Sequence, residues 1–421
     1  MSTRTVAAIV LAGLLAALAL GIARTTPRHV RPDPPGGHTP VSVSRDFTPA
    51  QVARESAFHR ALRPGSYAAL LTSLVLAGVL GLTPLGARLV GLVGGGWLRQ
   101  ALWGAVALTV LGQALTLPFA AWSQHVRRRY GLSRQPWSGW AGDVVKSVLL
   151  AAVLTMVVAV AFVGLARAFP RSWWVWTAGG AAALVVALSF GYPLVVEPLF
   201  NKFTPMAAGP LRTDLLDLAA RDHVRVSDVL VADASRRTTA LNAYVSGFGA
   251  SRRIVVYDTL LRDASPEEVR LVVAHELGHA KRQDVLYGTV LGALGAAAAM
   301  VAAYLLLGWS RLLAAAGVDG PGDARVLPLL FLLAALAGLA TQPAQAWVSR
   351  QIEARADRHA LDLTRDPDTF VTMQKRLAVT NLSDLDPNPV DYLLFTDHPT
   401  APGRIAMARD WAAAHAAEGR R

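Results

Sequence analysis

At 421 residues the chain is long enough for two or three soluble domains, but 53% hydrophobic and 17% charged residues, with a mean hydropathy of +0.37, mark an integral membrane protein. The net charge of +12 is spread over loops between apolar stretches, the pattern of membrane topology rather than of a nucleic-acid groove. There is no cysteine, so disulfides, thiolate metal sites, iron–sulfur clusters and thiol nucleophiles are excluded, and any metal must be held by His, Asp or Glu.

A bilayer core of about 30 Å takes about 20 apolar residues in helix. Seven stretches qualify, at 6–23, 67–94, 102–122, 147–169, 173–198, 286–309 and 326–348. The second is interrupted by Pro84 and Arg88. The first also has the features of a cleaved signal peptide, with Arg4 before an apolar run and small residues at Ala17-Leu18-Ala19. Loop charges favour a retained anchor. With the N-terminus outside, loops 24–65 and 123–146 are cytoplasmic and carry Arg24, Arg28, Arg31, Arg45, Arg54, Arg60, Arg63, Arg127, Arg128, Arg129, Arg134 and Lys146. The opposite side has only Arg99, Arg167, Arg171, Arg311 and Arg325, an asymmetry of 12 against 5 that places the large polar segments in the cytoplasm.

The expected organisation is an anchor at 1–23, a cytoplasmic linker and helix at 24–65, spans two to five at 66–198, a metallopeptidase region at 199–285, spans six and seven at 286–348 and its C-terminal part at 349–421. The linker is rich in Pro and Gly at Arg31-Pro32-Asp33-Pro34-Pro35-Gly36-Gly37, and Thr48 followed by Pro49 predicts a helix start. A helix is expected near 210–220. Two β-like runs follow, at Asn242–Ser246 and Arg253–Tyr257, joined by the turn Gly247-Phe248-Gly249-Ala250. Residues 349–421 read as helical, with turns at Asp366-Pro367 and Asp386-Pro387.

The chemistry centres on His275-Glu276-Leu277-Gly278-His279. Ser265-Pro266-Glu267-Glu268 ahead of it supplies an N-cap, a proline at the first helical position and a capping-box acid, so the stretch is predicted to be helical. Two histidines four apart then project from one face and hold one zinc, with Glu276 placed to reach the water on the metal. The bland alternative is a fortuitous polar helix face. Zinc needs a third protein ligand. The long metzincin form is ruled out, because Arg282 and Val285 stand where its glycine and third histidine belong. Downstream of Glu276 the only glutamates are Glu353 and Glu418. Glu353 and Asp357 lie four apart on one helical face, a ligand and a carboxylate to fix a ligand histidine's tautomer, or else a solvated face flanked by Arg350, Arg355 and Arg358. His359 is expected to be a satisfied or exposed histidine.

These residues resemble the type I CAAX prenyl protease family of integral-membrane zinc metallopeptidases, to which the heat-shock protease HtpX is related. The likeness extends to Asn201-Lys202-Phe203-Thr204-Pro205, Asn242-Ala243-Tyr244, Arg253–Leu261, His398-Pro399 and Arg404-Ile405. It implies a mainly α, multi-pass fold: about seven transmembrane helices around a chamber, with a cytoplasmic zinc metallopeptidase domain containing a small β-hairpin or sheet. It further implies that Asn242 and Ala243 bind substrate backbone, that His398 donates to the developing oxyanion, and that Arg404 holds the zinc-bound carboxylate or a nearby substrate oxygen. Asp284 is expected to cap or anchor its helix end.

The expected function is hydrolysis of peptide bonds in membrane-associated or lipidated proteins, prenylated CAAX-type substrates among them. It would use one zinc ion per chain held by His275, His279 and Glu353, with Glu276 as general base. The expected setting is a bacterial cell membrane with the site facing the cytoplasm, a lipid bilayer and a peptide as partners, no nucleic acid, and no need of an oligomer. Quality-control proteolysis of the HtpX kind and a non-catalytic zinc-binding transporter or receptor are the alternatives. A site-2 type intramembrane protease is disfavoured, because Glu267, Glu268, Lys281, Arg282 and Asp284 bracket the motif.

Overall fold

The computed structural model describes residues 1–247, 249 and 252–418. Helix α1 (Thr3–Thr25) leads through a linker with the short α2 (Val43–Asp46) to α3 (Pro49–Leu82), and α4 (Pro84–Gly91), α5 (Trp97–Arg129) and α6 (Trp137–Ala168) follow. Helix α7 (Trp173–Gly191) passes through a π-helical stretch at Tyr192–Val196 into α8 (Glu197–Phe200). Pro193 has no N–H to give to the regular ladder there, and a wider turn absorbs the defect. After α9 (Pro210–Arg221), α10 (Asp258–Asp263) and α11 (Pro266–Arg282) come α12 (Asp284–Leu307), α13 (Ser310–Ala316), α14 (Leu327–Thr364), α15 (Pro367–Asn381), α16 (Pro389–Leu394) and α17 (Ala401–Glu418). Among the described residues seven helices are long and apolar enough to cross a membrane.

Four of these helices, α3, α5, α6 and α14, are well over the length a bilayer needs, and in α3 and α14 the excess positions the site. With a rise of 1.5 Å per residue, the 34 residues of α3 reach about 51 Å and the 38 of α14 about 57 Å, against a core of about 30 Å. Each therefore runs from its apolar part into the polar layer without a joint. The boundaries expected at residues 65 and 348 both fall inside a continuous helix. The second span also ends earlier than expected, at Leu82 rather than 94. Thr83, held extended before Pro84, stops α3 and caps α4 by accepting from the Leu85 N–H at 3.3 Å.

Around the membrane the neighbours run α14, α3, α5, α6, α7, α12 and back to α14, a closed ring of six helices with α1 against α12. Only 6% of the apolar window of α3 and none of that of α7 and α8 is buried. Such helices face lipid on one side and the chamber enclosed by the ring on the other.

Below the ring lies a four-stranded sheet of β1 (Phe203–Pro205), β2 (Asp228–Ala232), β3 (Ala243–Ser246) and β4 (Arg253–Tyr257), in the order β1-β2-β4-β3. β2 and β4 are parallel and the outer pairs antiparallel, so among the described residues β3 is an edge strand bonded only to β4. The sequence indicated β3 and β4 alone. β1 has three residues and a proline, and the apolar run of β2 carries no alternation to separate strand from buried helix. The expected turn at 247–250 lies partly outside the described residues. The main core packs Leu215, Leu218, Ile254, Val256, Val273, Leu277, Leu361, Phe370 and Trp411 together, joining the sheet to α9, α11, α14, α15 and α17.

Candidate metal centre and cleft

Helix α11 carries the central motif and starts with the capping box expected of it: Ser265 accepts from the Glu268 N–H at 3.3 Å, and Glu268 accepts from the Ser265 N–H at 2.9 Å. Glu268 is itself buried and paired with Arg376 of α15 at 2.8 Å, which fixes the helix start against the core. The helix ends at Gln283, whose left-handed φ of 55° turns the chain into α12.

Gly278 explains how α11 and α14 come close enough to share a site. A Cβ there would meet the His359 ring at 3.0 and 3.2 Å, so the bare glycine lets the helices approach without displacing that ring. His359 in turn bonds the buried Asp222 at 2.9 Å, and Lys281 binds the other oxygen of the same carboxylate at 2.6 Å. Burial works against the Asp222 charge, yet these two partners hold its carboxyl below the usual range. Gly278→Val is expected to lower stability by about 1–3 kcal/mol through overpacking and to weaken metal binding as α14 is displaced. Thermal unfolding and metal titration read the two effects. The Ala variant, needing only a few tenths of an ångström from His359, is expected to be milder.

His275, His279 and Glu353 converge, with one ligand atom from each within 4.8 Å of the others. His275 Nε2 is 3.2 Å from His279 Nε2 and 3.1 Å from Glu353 Oε2, and His279 Nε2 is 3.4 Å from Glu353 Oε1. Each imidazole has its own carboxylate behind it. His275 Nδ1 donates to Asp357 at 2.9 Å, and His279 Nδ1 donates to Asp284 at 2.9 Å. With both Nδ1 atoms facing carboxylates, both Nε2 atoms and the Glu353 carboxylate face one point, and with the rings neutral no donor stands among them. That donor set fits a divalent cation such as zinc. Burial opposes charge on His275, but Asp357 and Glu353 outweigh it and raise its pKa to about 10, so a proton competes for the same place.

Glu276 lies in the cleft beside these groups, and among the described residues its carboxylate takes part in no hydrogen bond or ion pair. Burial raises its pKa, with His275 and His279 pulling the other way, which moves it toward the range useful to a general base. His398, in the loop before α17, has Nδ1 on Asp397 at 2.8 Å and Nε2 3.3 Å from Glu353 Oε2. Burial opposes its charge, but Asp397 and Glu353 raise its pKa overall.

Of the two partners expected for Arg404, the Glu353 carboxylate or a nearby substrate oxygen, the structure bears on the first alone. Rather than holding the carboxylate of Glu353, it forms a two-pronged pair with the fully buried Asp357, its Nε donating to Oδ2 at 2.7 Å. Gln374, turned so that its oxygen faces the guanidinium, accepts from it at 3.2 Å. The reason is electrostatic: Asp357 has no water to share its charge, so the nearest guanidinium is drawn to it. Asp284 likewise does more than anchor a helix end, since it bonds His279 and pairs with Arg355. Its position five residues after His279, past a helix break, gave no helical spacing from which to read that contact.

Two cavities, of about 630 and 480 Å³, meet at the centre and share Asn242, His275, Glu276, Glu353 and His398 as walls. The smaller follows β3 past Ala243, Tyr244 and Val245, whose outer edge is unpaired, and the larger extends between α3, α15 and the loop carrying His398. Asn242 is solvent-exposed and fixed by its carbonyl, which accepts from the Tyr257 N–H at 3.0 Å.

Residues 205–412 match the model of peptidase family M48, and residues 47–202 match that of the CAAX prenyl protease N-terminal region with five membrane helices. Among curated proteins, an uncharacterized metalloprotease, YhfN, of Bacillus subtilis is 29% identical over 72% of this chain and 71% of its own length. A CAAX prenyl protease 1 homolog of Oryza sativa subsp. japonica is 29% identical over the same shares. CAAX prenyl protease 1 of Saccharomyces cerevisiae is 30% identical over 42% of this chain and 40% of its own. The crystal structure of S. mikatae Ste24p superposes with a TM-score of 0.77 at 20% identity, covering 97% of this chain and 99% of that one, which establishes a shared fold.

Proposed function

The chain belongs to the CAAX prenyl protease branch of peptidase family M48, and on that premise we propose that it is a zinc endopeptidase that cleaves prenylated proteins at the cytoplasmic face of a bacterial membrane. It is a multi-pass membrane metallopeptidase, and its substrate is a protein or peptide presented in a membrane context. The observation that carries the reading is the donor set of His275, His279 and Glu353, each imidazole backed by a carboxylate, between two cavities with Glu276 unpaired beside it.

His275, His279 and Glu353 would hold the zinc, which would supply Lewis acidity, lowering the pKa of a water toward 7 and polarising the scissile carbonyl. Glu276 takes a proton from the attacking water and passes it to the leaving amine. His398 Nε2 donates to the oxyanion as the carbonyl carbon becomes tetrahedral. Asp357 and Asp284 hold the two imidazoles in the tautomer that leaves Nε2 free, and Arg404 carries the charge of Asp357. Beyond Asn242 and Ala243, the unpaired edge of β3 takes an extended peptide as an added strand, while the apolar chamber of the ring accepts a prenyl chain.

Prenylation and orientation rest on the loop-charge asymmetry and on the names of the relatives. With purified full-length protein in detergent, a farnesylated peptide ending in a CAAX sequence is expected to be cut at least ~10-fold faster than its unprenylated twin, a preference of ~1.4 kcal/mol at the transition state. Chelation is expected to stop cleavage and added zinc to restore it. Equal rates on both peptides would replace the prenyl reading with general proteolysis of membrane proteins.

A further inference from the structure

At the far end of the larger cavity from His275 stands a second group of metal-type ligands that the peptidase chemistry leaves unused. Glu55 and His59, four apart on the polar extension of α3, meet Asp384 of the segment after α15, with one ligand atom from each within 4.8 Å of the others. His59 Nε2 is 3.5 Å from Glu55 Oε1, and His59 Nδ1 is 3.9 Å from Asp384 Oδ2. We propose that Glu55, His59 and Asp384 form a second divalent-metal site, of the zinc or manganese class, which fastens α3 to the loop leading to His398.

Three observations carry this. The first is charge. Three carboxylates, Glu55 beside His59 and Asp384 and Asp391 on the cavity wall, stand against one guanidinium, Arg63, which lies 2.5 Å from Asp384 and 2.7 Å from Asp391. With all three ionised two negative charges are left over, which one divalent cation would cancel. Glu55 is 6% exposed, and beside a backbone hydrogen bond from Leu385 its closest side-chain partners are Ser56 Oγ at 3.3 Å and His59 at 3.5 Å, with no Arg or Lys among them.

The second is the direction of the lone pairs. His59 Nε2 donates to the Leu382 carbonyl at 2.9 Å, which leaves Nδ1 as an acceptor turned toward the acceptor oxygens of Asp384. Leu382 presents its carbonyl only because it adopts a left-handed φ of 49°, an uncommon conformation for a branched side chain.

The third is access. His59 and Asp384 keep about 18% of their side-chain surface open and line the cavity, so an ion and its waters can reach them. One imidazole with two carboxylates favours zinc or manganese over calcium or magnesium, which prefer all-oxygen shells.

The experiment counts metal on full-length protein. The chain is stripped with chelator, dialysed against trace zinc and, separately, manganese, and analysed for tightly held metal per chain. Two equivalents of zinc are expected for the wild type, one for His59→Ala and for Glu55→Gln, and two for Glu276→Gln. The His275→Ala/His279→Ala double variant is expected to keep the one at Glu55, His59 and Asp384. A wild type that holds one equivalent, retained in His59→Ala and lost in the double variant, overturns the second site and leaves the peptidase centre standing. One equivalent that survives the double variant and vanishes in His59→Ala upholds the second site and removes the first. Glu55→Gln, nearly isosteric, keeps the comparison valid if His59→Ala does not fold.

Discussion

Glu276→Gln is expected to keep its metal, its fold and its affinity for peptide while losing at least ~10³-fold in kcat, within the range a positioned general base contributes. The substitution keeps size and polarity and removes only the ability to accept a proton. Among the described residues nothing else holds the Glu276 carboxylate. Glu353, Asp357, Asp284 and Asp397 are each committed to a histidine or an arginine, whereas Glu276 is bonded to none of the described residues. Its raised pKa fits that role, since a carboxylate well below the working pH is a poor proton acceptor. The measurement pairs metal content with cleavage rate on one preparation. Unchanged cleavage would remove Glu276 from the chemistry, and loss of metal together with activity would make it part of the binding set.

How much of this was legible in the sequence depended on whether the signal was local. The capping box at Ser265, the four-residue spacing of His275 and His279, and the apolar lengths of the spans are properties of short windows, and helix geometry turns each directly into position. Glu353 was reachable by elimination because glutamate is scarce downstream of the motif. The role of Arg404 was not, because its choice between Glu353 and Asp357 depends on how deeply Asp357 is buried, a consequence of α17 packing on α14. The continuity of α3 and α14 was hidden as well. A change from apolar to polar residues reads as the end of a span, yet the backbone has no reason to stop there, and Pro64 and Pro343 are both carried inside a helix. That continuity makes the centre a product of the membrane fold. The histidines stand on a helix packed in the hydrophobic core outside the membrane, while Glu353 stands on the extension of the last span, so tilting α14 within the ring moves one ligand against the other two.

The same arrangement predicts that metal affinity follows pH through His275, with Arg404 setting the level. A pKa raised from 6.5 to about 10 means that the metal-free fold gains from the imidazolium, fully below pH 6.5 and progressively less as pH rises toward 10. Zinc needs the neutral ring, so over that window each binding event releases a proton, and affinity is expected to rise about tenfold per pH unit. Arg404→Gln removes the guanidinium that faces Asp357. The carboxylate then leans on His275 alone, the proton is held more firmly, and zinc affinity at fixed pH is expected to fall about 10- to 100-fold, the usual cost of losing a group that supports a ligand. Stability moves in the same direction. Leaving Asp357 unpaired costs about 3–5 kcal/mol where the ring is neutral, and less where His275 is protonated and shares the load, so the deficit of the metal-free variant grows with pH. Competition titrations against a chromophoric chelator at pH 6.5, 7.5 and 8.5, on wild type and variant, read the affinities, and unfolding midpoints at the same pH values read the stabilities. A wild-type affinity flat across that range would show that no proton leaves His275, and equal affinities for the two proteins would show that Asp357 does not need Arg404 to hold the ring.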